Sequence, residues 1–324
     1  MKEAHDVICT LFEGDYHYGV AALVNSLSAK GYKGKVLAGY KGAPPPWFQS
    51  DREARIGELN TVYTTQGDFE LHFVKLDTDY HLTNYKPDFM LMVARSIPDW
   101  NTIFYFDPDI VIVRKWQYFR DWALAGVCLC EDVNSPVYEH NPKRSGWRSY
   151  FSKYGIELKF KSPVYVNGGC VGITKENINF LEEWIEIQLA MSDAIGGLSV
   201  SDLGLPKSTA PRLAYDVTQI FKLTDQDALN ATLEYTRSTC SILGPEGMSF
   251  KHGSNWMTHA VGGKKPWRKN FLLDMFKAKP PTRADKSFWS SLSVGIQPTS
   301  HSRLVLKKVT VALAAFVGRF YRRG

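Results

Sequence analysis

Two aspartates, Asp107 and Asp109, flank Pro108 between an apolar run at 103–106 and a second at 110–113. The first run has no polar break and reads as a buried strand. Pro108 disfavours the helical region for the residue before it, so Asp107 reads as extended. In extended chain, side chains at i and i+2 point the same way, which aims both carboxylates at one spot. Like charges at the end of a buried strand repel, and each is costly to desolvate alone. A divalent cation with oxygen ligands relieves both. The same triplet also reads as a plain polar turn, since Asp-Pro is a frequent turn starter.

Such a pair needs a scaffold, and the flanking sequence supplies one. Residues 6–12 read as a buried strand, 18–29 as a helix and 35–40 as a second strand. Strand, helix, strand is the unit of a parallel α/β sheet, whose ligands bind outside the carboxyl ends of the strands. Residues 12–16 and the aspartate pair would then share one crevice. Pro44, Pro45 and Pro46 make a stiff break before a polar helix expected at 51–59, followed by a strand at 71–76. A helix at 86–97 carries Pro87 in its first turn and is closed by Pro98. Lys86 at its start would reach a diphosphate, or stand solvated. A buried strand at 123–130 ends at Glu131-Asp132, and 134–162 read as an acceptor-side loop region with a short helix near 147–154. Residues 164–173 form a strand interrupted by glycines, which mark a bulge or the close approach of a ligand. A helix at 175–191 precedes a weakly periodic stretch, 192–224, suited to a loop over the site. The helix at 225–233 would be capped by Thr224 or Asp225.

The 324 residues carry a net charge of +6, but no acidic residue follows Asp285. Lys286, Arg303, Lys307, Lys308, Arg319, Arg322 and Arg323 contribute seven positive charges, so residues 1–285 sum to −1. That location argues against nucleic acid as a partner of the core. The five cysteines, Cys9, Cys128, Cys130, Cys170 and Cys240, have no zinc spacing and read as reduced thiols, with no apolar leader ahead of them. Residues 276–300 read as a linker. From 303 to 323 one helix would place Val305, Leu306, Val309, Leu313, Phe316, Val317 and Phe320 on one side and the basic residues on the other. Its apolar run is too short to span a bilayer, and a basic amphipathic helix lying on an anionic membrane surface fits better. The alternative is a helix docked on an acidic face of its own protein.

Four motifs in order bring the chain close to a known group: Asp107-Pro-Asp109, Asn167-Gly168-Gly169, Asp225-Gln226-Asp227-Ala228-Leu229-Asn230, and His259-x-x-Gly262-x-x-Lys265-Pro266-Trp267. The chain resembles glycosyltransferases of the A-type nucleotide-sugar-binding fold, within them the retaining family 8 that includes glycogenin and bacterial lipooligosaccharide galactosyltransferases. The resemblance, which covers roughly residues 6 to 270, implies an α/β fold: one Rossmann-like domain with a mainly parallel sheet, placed at 1–275 ahead of the linker at 276–300 and the amphipathic helix at 301–324 read above. It implies Asp107, Asp109 and His259 as ligands of Mn²⁺, with Mg²⁺ as the substitute; two carboxylates with an imidazole suit Mn²⁺. Taken alone, His259 reads as a structural histidine and Asp225 as a helix cap. By the resemblance Leu11 and Tyr16 meet the nucleotide, and Gly168, Gly262, Lys265 and Lys86 meet the rest of the donor. Asn167 and Asp225 line the sugar, and Gln226 stands nearest the reacting carbon. Leu11 and Tyr16 lie one residue closer together than in glycogenin, and Phe12-Glu13 replace its small polar residues. The segment before Asp225 is unusually long.

The function implied is transfer of a hexose, with retention, from a nucleoside diphosphate sugar, UDP-linked by the family's habit, to a glycan or glycolipid acceptor such as a lipopolysaccharide or capsule precursor. The place implied is the cytoplasmic face of the plasma membrane. One rival is a sugar nucleotidyltransferase, yet residues 10–19 lack the basic phosphate loop such enzymes carry. Another is a degenerate transferase serving as a sugar-binding module, yet every metal and phosphate position is filled.

Overall fold

The first strand, β1 (His5–Glu13), is buried from Asp6 to Phe12. Val7, Cys9 and Leu11 face one core while Ile8 and Phe12 face the other, so the strand is apolar on both sides. The structure is a computed structural model that describes residues 5–50, 52–202 and 220–321. Helix α1 (His17–Ala29) leads to β2 (Gly34–Lys41), which pairs parallel with β1 as the sequence predicts. Next come β3 (Glu53–Ile56), β4 (Leu59–Gln66), β5 (Phe69–Lys75), α2 (Lys86–Ser96), β6 (Trp100–Phe106) and β7 (Ile110–Ile112). Then follow α3 (Trp116–Ala123), β8 (Val127–Glu131), α4 (Pro142–Phe151), β9 (Val166–Thr174), α5 (Asn179–Ile195) and α6 (Thr224–Tyr235). The chain continues through β10 (Cys240–Leu243), β11 (Met257–His259), α7 (Phe271–Phe276), α8 (Arg283–Ser291) and α9 (His301–Val317).

Nine strands form one sheet in the order β10, β8, β9, β6, β1, β2, β5, β4, β3. Only β4 and β9 run against the rest, so the sheet is largely parallel, and its centre, β6-β1-β2-β5, wholly so. One core lies under α2, α5 and α6, around Phe89, Trp184 and Leu229. The other lies under α1, α3 and α8, around Phe104, Phe119 and Trp289. With β1 and β6 adjacent and parallel, their carboxyl ends open on one edge, and the chain leaves β6 there as Asp107.

Four expectations are corrected. Of the helix expected at 51–59, the described residues 52–59 show none: β3 and β4 pair antiparallel around a turn at Gly57. Gly57 has φ +58, and a β-carbon there would lie 2.7 Å from the Ser96 backbone, so a side chain is excluded twice. The stretch 276–300, read as a linker, contains α8, whose Phe288 and Trp289 are buried because they pack against α1 and the β11 segment. Its start is fixed by a capping box, with Thr282 and Asp285 each accepting from the other's backbone amide. At α6 neither Thr224 nor Asp225 caps the helix; the carboxylate of Asp227 instead accepts from Leu223 N at 3.0 Å. The strand expected at 123–130 begins only at Val127, because α3 and a glycine turn occupy the residues before it. Of the stretch 192–224, residues 203–219 lie outside the described residues.

The cysteines are free thiols, and Cys128 and Cys130 are fully buried in the core as packing residues. Helix α9 docks on α7 and α8 through Leu304, Val311 and Ala314. Lys307 donates to Lys269 O at 2.7 Å and lies over the rings of Phe271 and Trp289, so the contact is apolar and cation–π rather than acidic. That leaves Val305, Leu306, Val309, Leu313, Phe316 and Phe320 exposed, with Leu273 and Phe276 of α7 exposed as well. Among the described residues no helix is long and apolar enough to cross a membrane.

Candidate active site

Asp107-Pro-Asp109 is a turn, closed by Ile110 N donating to Asp107 O at 3.0 Å. The extended backbone the proline suggested is not what converges the carboxylates; the turn between β6 and β7 does it. On the other side, β7 pairs antiparallel with β11, and this register sets His259 opposite Ile110. Ala260 N then donates to Asp109 O at 3.2 Å. A two-stranded ribbon thereby carries an imidazole from late in the chain to the aspartates. His259 Nε2 stands 3.3 Å from Asp109 Oδ1 and 3.7 Å from Asp107 Oδ2.

The third wall is β9. Its register against β8 shifts between Leu129 and Cys130, so Gly168 and Gly169 bulge out as the glycines predict. A β-carbon on Gly169 would come within 2.6 Å of the His259 ring and 2.9 Å of both Asp107 Oδ2 and Asn167 Oδ1. Glycine is therefore what lets carboxylate, imidazole and strand meet. Asp107 N donates to Gly169 O at 2.8 Å, locking the turn onto the bulge. Helix α6 closes the fourth side: Gln226 Oε1 accepts from Gly168 N at 3.3 Å, while Asn230 makes a paired amide contact with the backbone of Val166.

Two lysines thread this cluster. Lys86, expected to reach a diphosphate, is buried, and its three ammonium hydrogens face protein: Gly168 O at 2.9 Å, Asp225 Oδ2 at 3.0 Å and Asp107 Oδ1 at 3.2 Å. Burial alone would lower its pKa, but the carboxylates of Asp107 and Asp225 outweigh that and hold it above the usual lysine range. Lys265 donates to Asp109 Oδ2 at 2.6 Å and to Ala260 O at 3.0 Å. Burial pushes the Asp109 carboxyl up, yet the His259 imidazole and the Lys265 ammonium prevail and keep it below the carboxylate range. Burial would lower Lys265, but the Asp109 carboxylate raises it above the usual lysine range.

Tyr16 lies in the short turn after β1, with Lys265 and Arg268 both about 6 Å from its ring centre. Trp267 packs edge-on against it and donates from Nε1 to Asp15 at 3.0 Å, while Arg268 pairs with the same carboxylate. The Lys-Pro-Trp segment is thus stapled to the first strand's loop. Next to it a groove of about 770 Å³ is lined by Glu13, Tyr16, His17, Lys41 and Arg268, among others. Gly262 has φ +93 with open space around it, so its role is a backbone turn. Leu11 is not at the opening: it is buried in the core with Leu37 and Phe89. Asn167 points inward, donating to Asp132 Oδ2 at 2.6 Å and accepting from Gly169 N at 2.9 Å.

The structure thus gathers Asp107, Asp109, His259, Lys265, Lys86, Gly168, Asp225 and Gln226 in one linked cluster, with Tyr16 beside Lys265 and Leu11 apart. Sequence reasoning passed over Tyr105, whose hydroxyl donates to Asp107 Oδ1 at 3.0 Å. Its signal was there, since it sits two residues before Asp107 at the end of the same strand. As a cation site the donor set fits: Asp107, Asp109 and His259 each offer one ligand atom, all within 4.8 Å of one another. Asp109 and His259 are buried and Asp107 partly so, and the Nδ1 of His259 has no hydrogen-bond partner among the described residues.

No family model matches the sequence, and no curated protein does. Among solved structures, the glycosyltransferase GlyE of Streptococcus pneumoniae TIGR4 aligns over 96% of this chain and 64% of its own, at 13% identity and a TM-score of 0.48. The bifunctional glycosyltransferase WbbM in its apo form aligns over 95% of this chain and 52% of its own, at 12% identity and 0.47. The chain therefore spans just under two thirds and about half the length of these two proteins. Likeness at this level leaves the chemistry to be argued from the site.

Proposed function

We propose that the chain is a metal-dependent retaining glycosyltransferase that moves a hexose from a nucleoside diphosphate sugar to a glycan or glycolipid acceptor. The observation that carries this reading is the cation-sized triad of Asp107, Asp109 and His259 beside Lys265 at the carboxyl edge of a parallel sheet. When bound, Mn²⁺ or Mg²⁺ supplies charge stabilisation to the departing diphosphate. Around it the chain's own groups have separable tasks. Lys265 adds a point charge at the mouth, Tyr16 offers a ring face toward the groove, and Gly262 lets backbone turn close to phosphate. Asp225 and Gln226 line the sugar side, with Asn167 behind them, its amide bridging Asp132 and the Gly169 backbone. Leu11, buried as it is, would act by shaping the floor.

Retention is favoured by what the nearby carboxylates are already doing. An inverting transferase needs a free base. Asp132 accepts from Asn134 and Asn167, and Asp227 is buried and held by Lys143, Tyr165 and the Leu223 amide. Neither is free to take a proton from an acceptor. The purified chain, given a panel of nucleotide sugars with Mn²⁺, should release nucleoside diphosphate and form a product whose anomeric configuration by NMR matches the donor. An inverted product would sink the retaining mechanism. Release of pyrophosphate from a nucleoside triphosphate and a sugar phosphate would favour the nucleotidyltransferase, and no metal-dependent turnover at all would favour a binding module.

The acceptor side is proposed to lie at an anionic membrane surface, which the C-terminal helix contacts. In this reading the catalytic unit proposed over 1–275 takes in α8 as well, which packs into its core, and 301–324 is the contact. Because α9 buries Leu304, Val311 and Ala314 against its own protein, the exposed face can be tested without removing the helix. Changing Leu306, Val309 and Phe316 together to Glu should free the protein from anionic vesicles, since apolar contact is lost and charge is reversed near basic residues worth about 1 kcal/mol each. Co-sedimentation equal to the unmodified chain would remove the membrane from the proposal.

A further inference from the structure

Away from the triad, a cavity of about 580 Å³ lies between the last turns of α1, strand β7 and the run from α8 into residues 293–295. One end is closed by Asn25, whose side-chain amide donates to Ile296 O at 2.9 Å and accepts from Ile296 N at 2.8 Å. On the β7 side, Ile112 N donates to Ser26 Oγ at 2.9 Å. The walls are therefore held by the protein's own bonds, and the volume is that of a small-molecule site.

The lining is one-sided in its chemistry. It holds Lys30, Lys286 and six serines, and among the described residues that line it there is no aspartate or glutamate. The ammonium groups of Lys30 and Lys286 and the hydroxyls of Ser28, Ser287 and Ser290 make no hydrogen bond or ion pair with other described residues. Cationic and hydroxyl donors with no carboxylate among them suit an oxyanion, and a phosphate ester above all. No aromatic ring lines the cavity among the described residues, so a nucleobase has nothing to stack on. Instead Val24, Val111 and Val113 supply apolar wall, and Val294 lines the cavity while 78% exposed. Ser293 takes a hydrogen bond from Lys308, so the cavity adjoins α9, whose Val305 and Val309 are exposed as well. A molecule with phosphate at one end and alkyl chains at the other matches both halves of this arrangement.

We propose that the cavity binds the phosphate-bearing headgroup of an anionic lipid, with Lys30 and Lys286 on the phosphate and the chains left outside along Val294 and α9. Only the placing of the chains rests on the membrane contact proposed above. The headgroup site is separate from it and from the triad.

The test uses the full chain in free solution, titrated by calorimetry with dihexanoyl phosphatidylglycerol below the concentration at which it self-associates. Because this probe forms no membrane, the result and the vesicle result for α9 stand or fall separately. The lipid should bind, and sn-glycerol 3-phosphate, which lacks the chains, should bind more weakly. Equal or tighter binding of glycerol phosphate would overturn the lipid assignment in favour of a soluble phosphate ester. Lys30→Gln with Lys286→Gln should weaken lipid binding by about tenfold or more, since two charge-assisted contacts are lost. Neither lysine has a partner to lose, so the fold is untouched. Lys277→Gln with Lys279→Gln removes the same charge from exposed positions outside the cavity and should leave binding unchanged. Ser290→Leu fills the cavity without altering charge and should weaken binding too. Equal losses from the two lysine pairs would mean general attraction to a basic surface and would overturn the proposal. So would full binding by Ser290→Leu, or no binding of the lipid by the unmodified chain.

Discussion

Asp109→Ala should lower transfer by about 10²–10³-fold or more, the scale on which removing one electrostatic contact to a developing charge is felt. It should also abolish Mn²⁺ binding to the free protein. Asp109 is 5% exposed, with Oδ1 toward His259 and Oδ2 on Lys265. Its backbone carbonyl, which holds the β7–β11 ribbon through Ala260 N, is untouched by the substitution. The scaffold therefore stays, while the triad loses a ligand and Lys265 loses its counter-charge. A freed Lys265 attracts phosphate by itself, so weak nucleotide binding that needs no metal can survive. For this reason the decisive readout is Mn²⁺ binding by calorimetry or electron paramagnetic resonance, together with turnover in EDTA. Near-normal activity of the variant in EDTA would remove Asp109 from the metal site.

The largest stability effect is expected away from the site, at Arg144. This side chain is 2% exposed and spends its whole fork: Nε on Val137 O at 2.7 Å, Nη2 on Val164 O at 2.8 Å and Nη1 on Glu234 at 2.6 Å. It joins α4 to α6 and to the segment entering β9. Glu234 is equally buried, and Arg148 is its other cationic partner, at 3.2 Å. Arg144→Met removes the charge but keeps much of the volume, leaving a buried carboxylate and two carbonyls short of donors. Breaking one side of such a pair costs about 3–5 kcal/mol, whereas replacing both partners is far milder. Denaturant unfolding should show that loss for Arg144→Met and a clearly smaller one for Arg144→Met with Glu234→Leu. A double variant as unstable as the single would mean that the two carbonyls, not Glu234, carry the cost.

Much of this molecule was legible in its residues, and the misses have physical causes. The first strand–helix–strand unit was readable because Val7, Cys9 and Leu11 alternate with Ile8 and Phe12 in a run with no charge until Glu13. The hairpin of β3 and β4 was not. Edge strands carry few core positions, and Arg52, Glu53 and Arg55 gave the segment a polar helix's composition although Gly57 held the turn. The stretch holding α8 was read as a linker, while the evidence for order was the capping box that Thr282 shares with Asp285. The site residues were visible as motifs, but their joining was not. Nothing local says that Lys86 is buried among three acceptors; only the bulge at Gly168 and Gly169 brings β9 close enough to take it. Leu11 illustrates the reverse, a motif position whose placement is settled by core packing.

The short ribbon of β7 and β11 has a consequence for how the chain reaches its working form. It joins segments so distant that Asp109 and Lys265 are 156 positions apart. Closing a loop of that size is entropically unfavourable, and contacts of such long range form late. The triad is therefore absent from a chain still emerging from synthesis, whose aspartates exist well before their histidine does. A half-made chain therefore lacks the proposed cation site. Once the ribbon has closed, a bound cation ties early and late parts of the sequence together, and its binding energy counts toward the stability of the entire domain rather than of one turn.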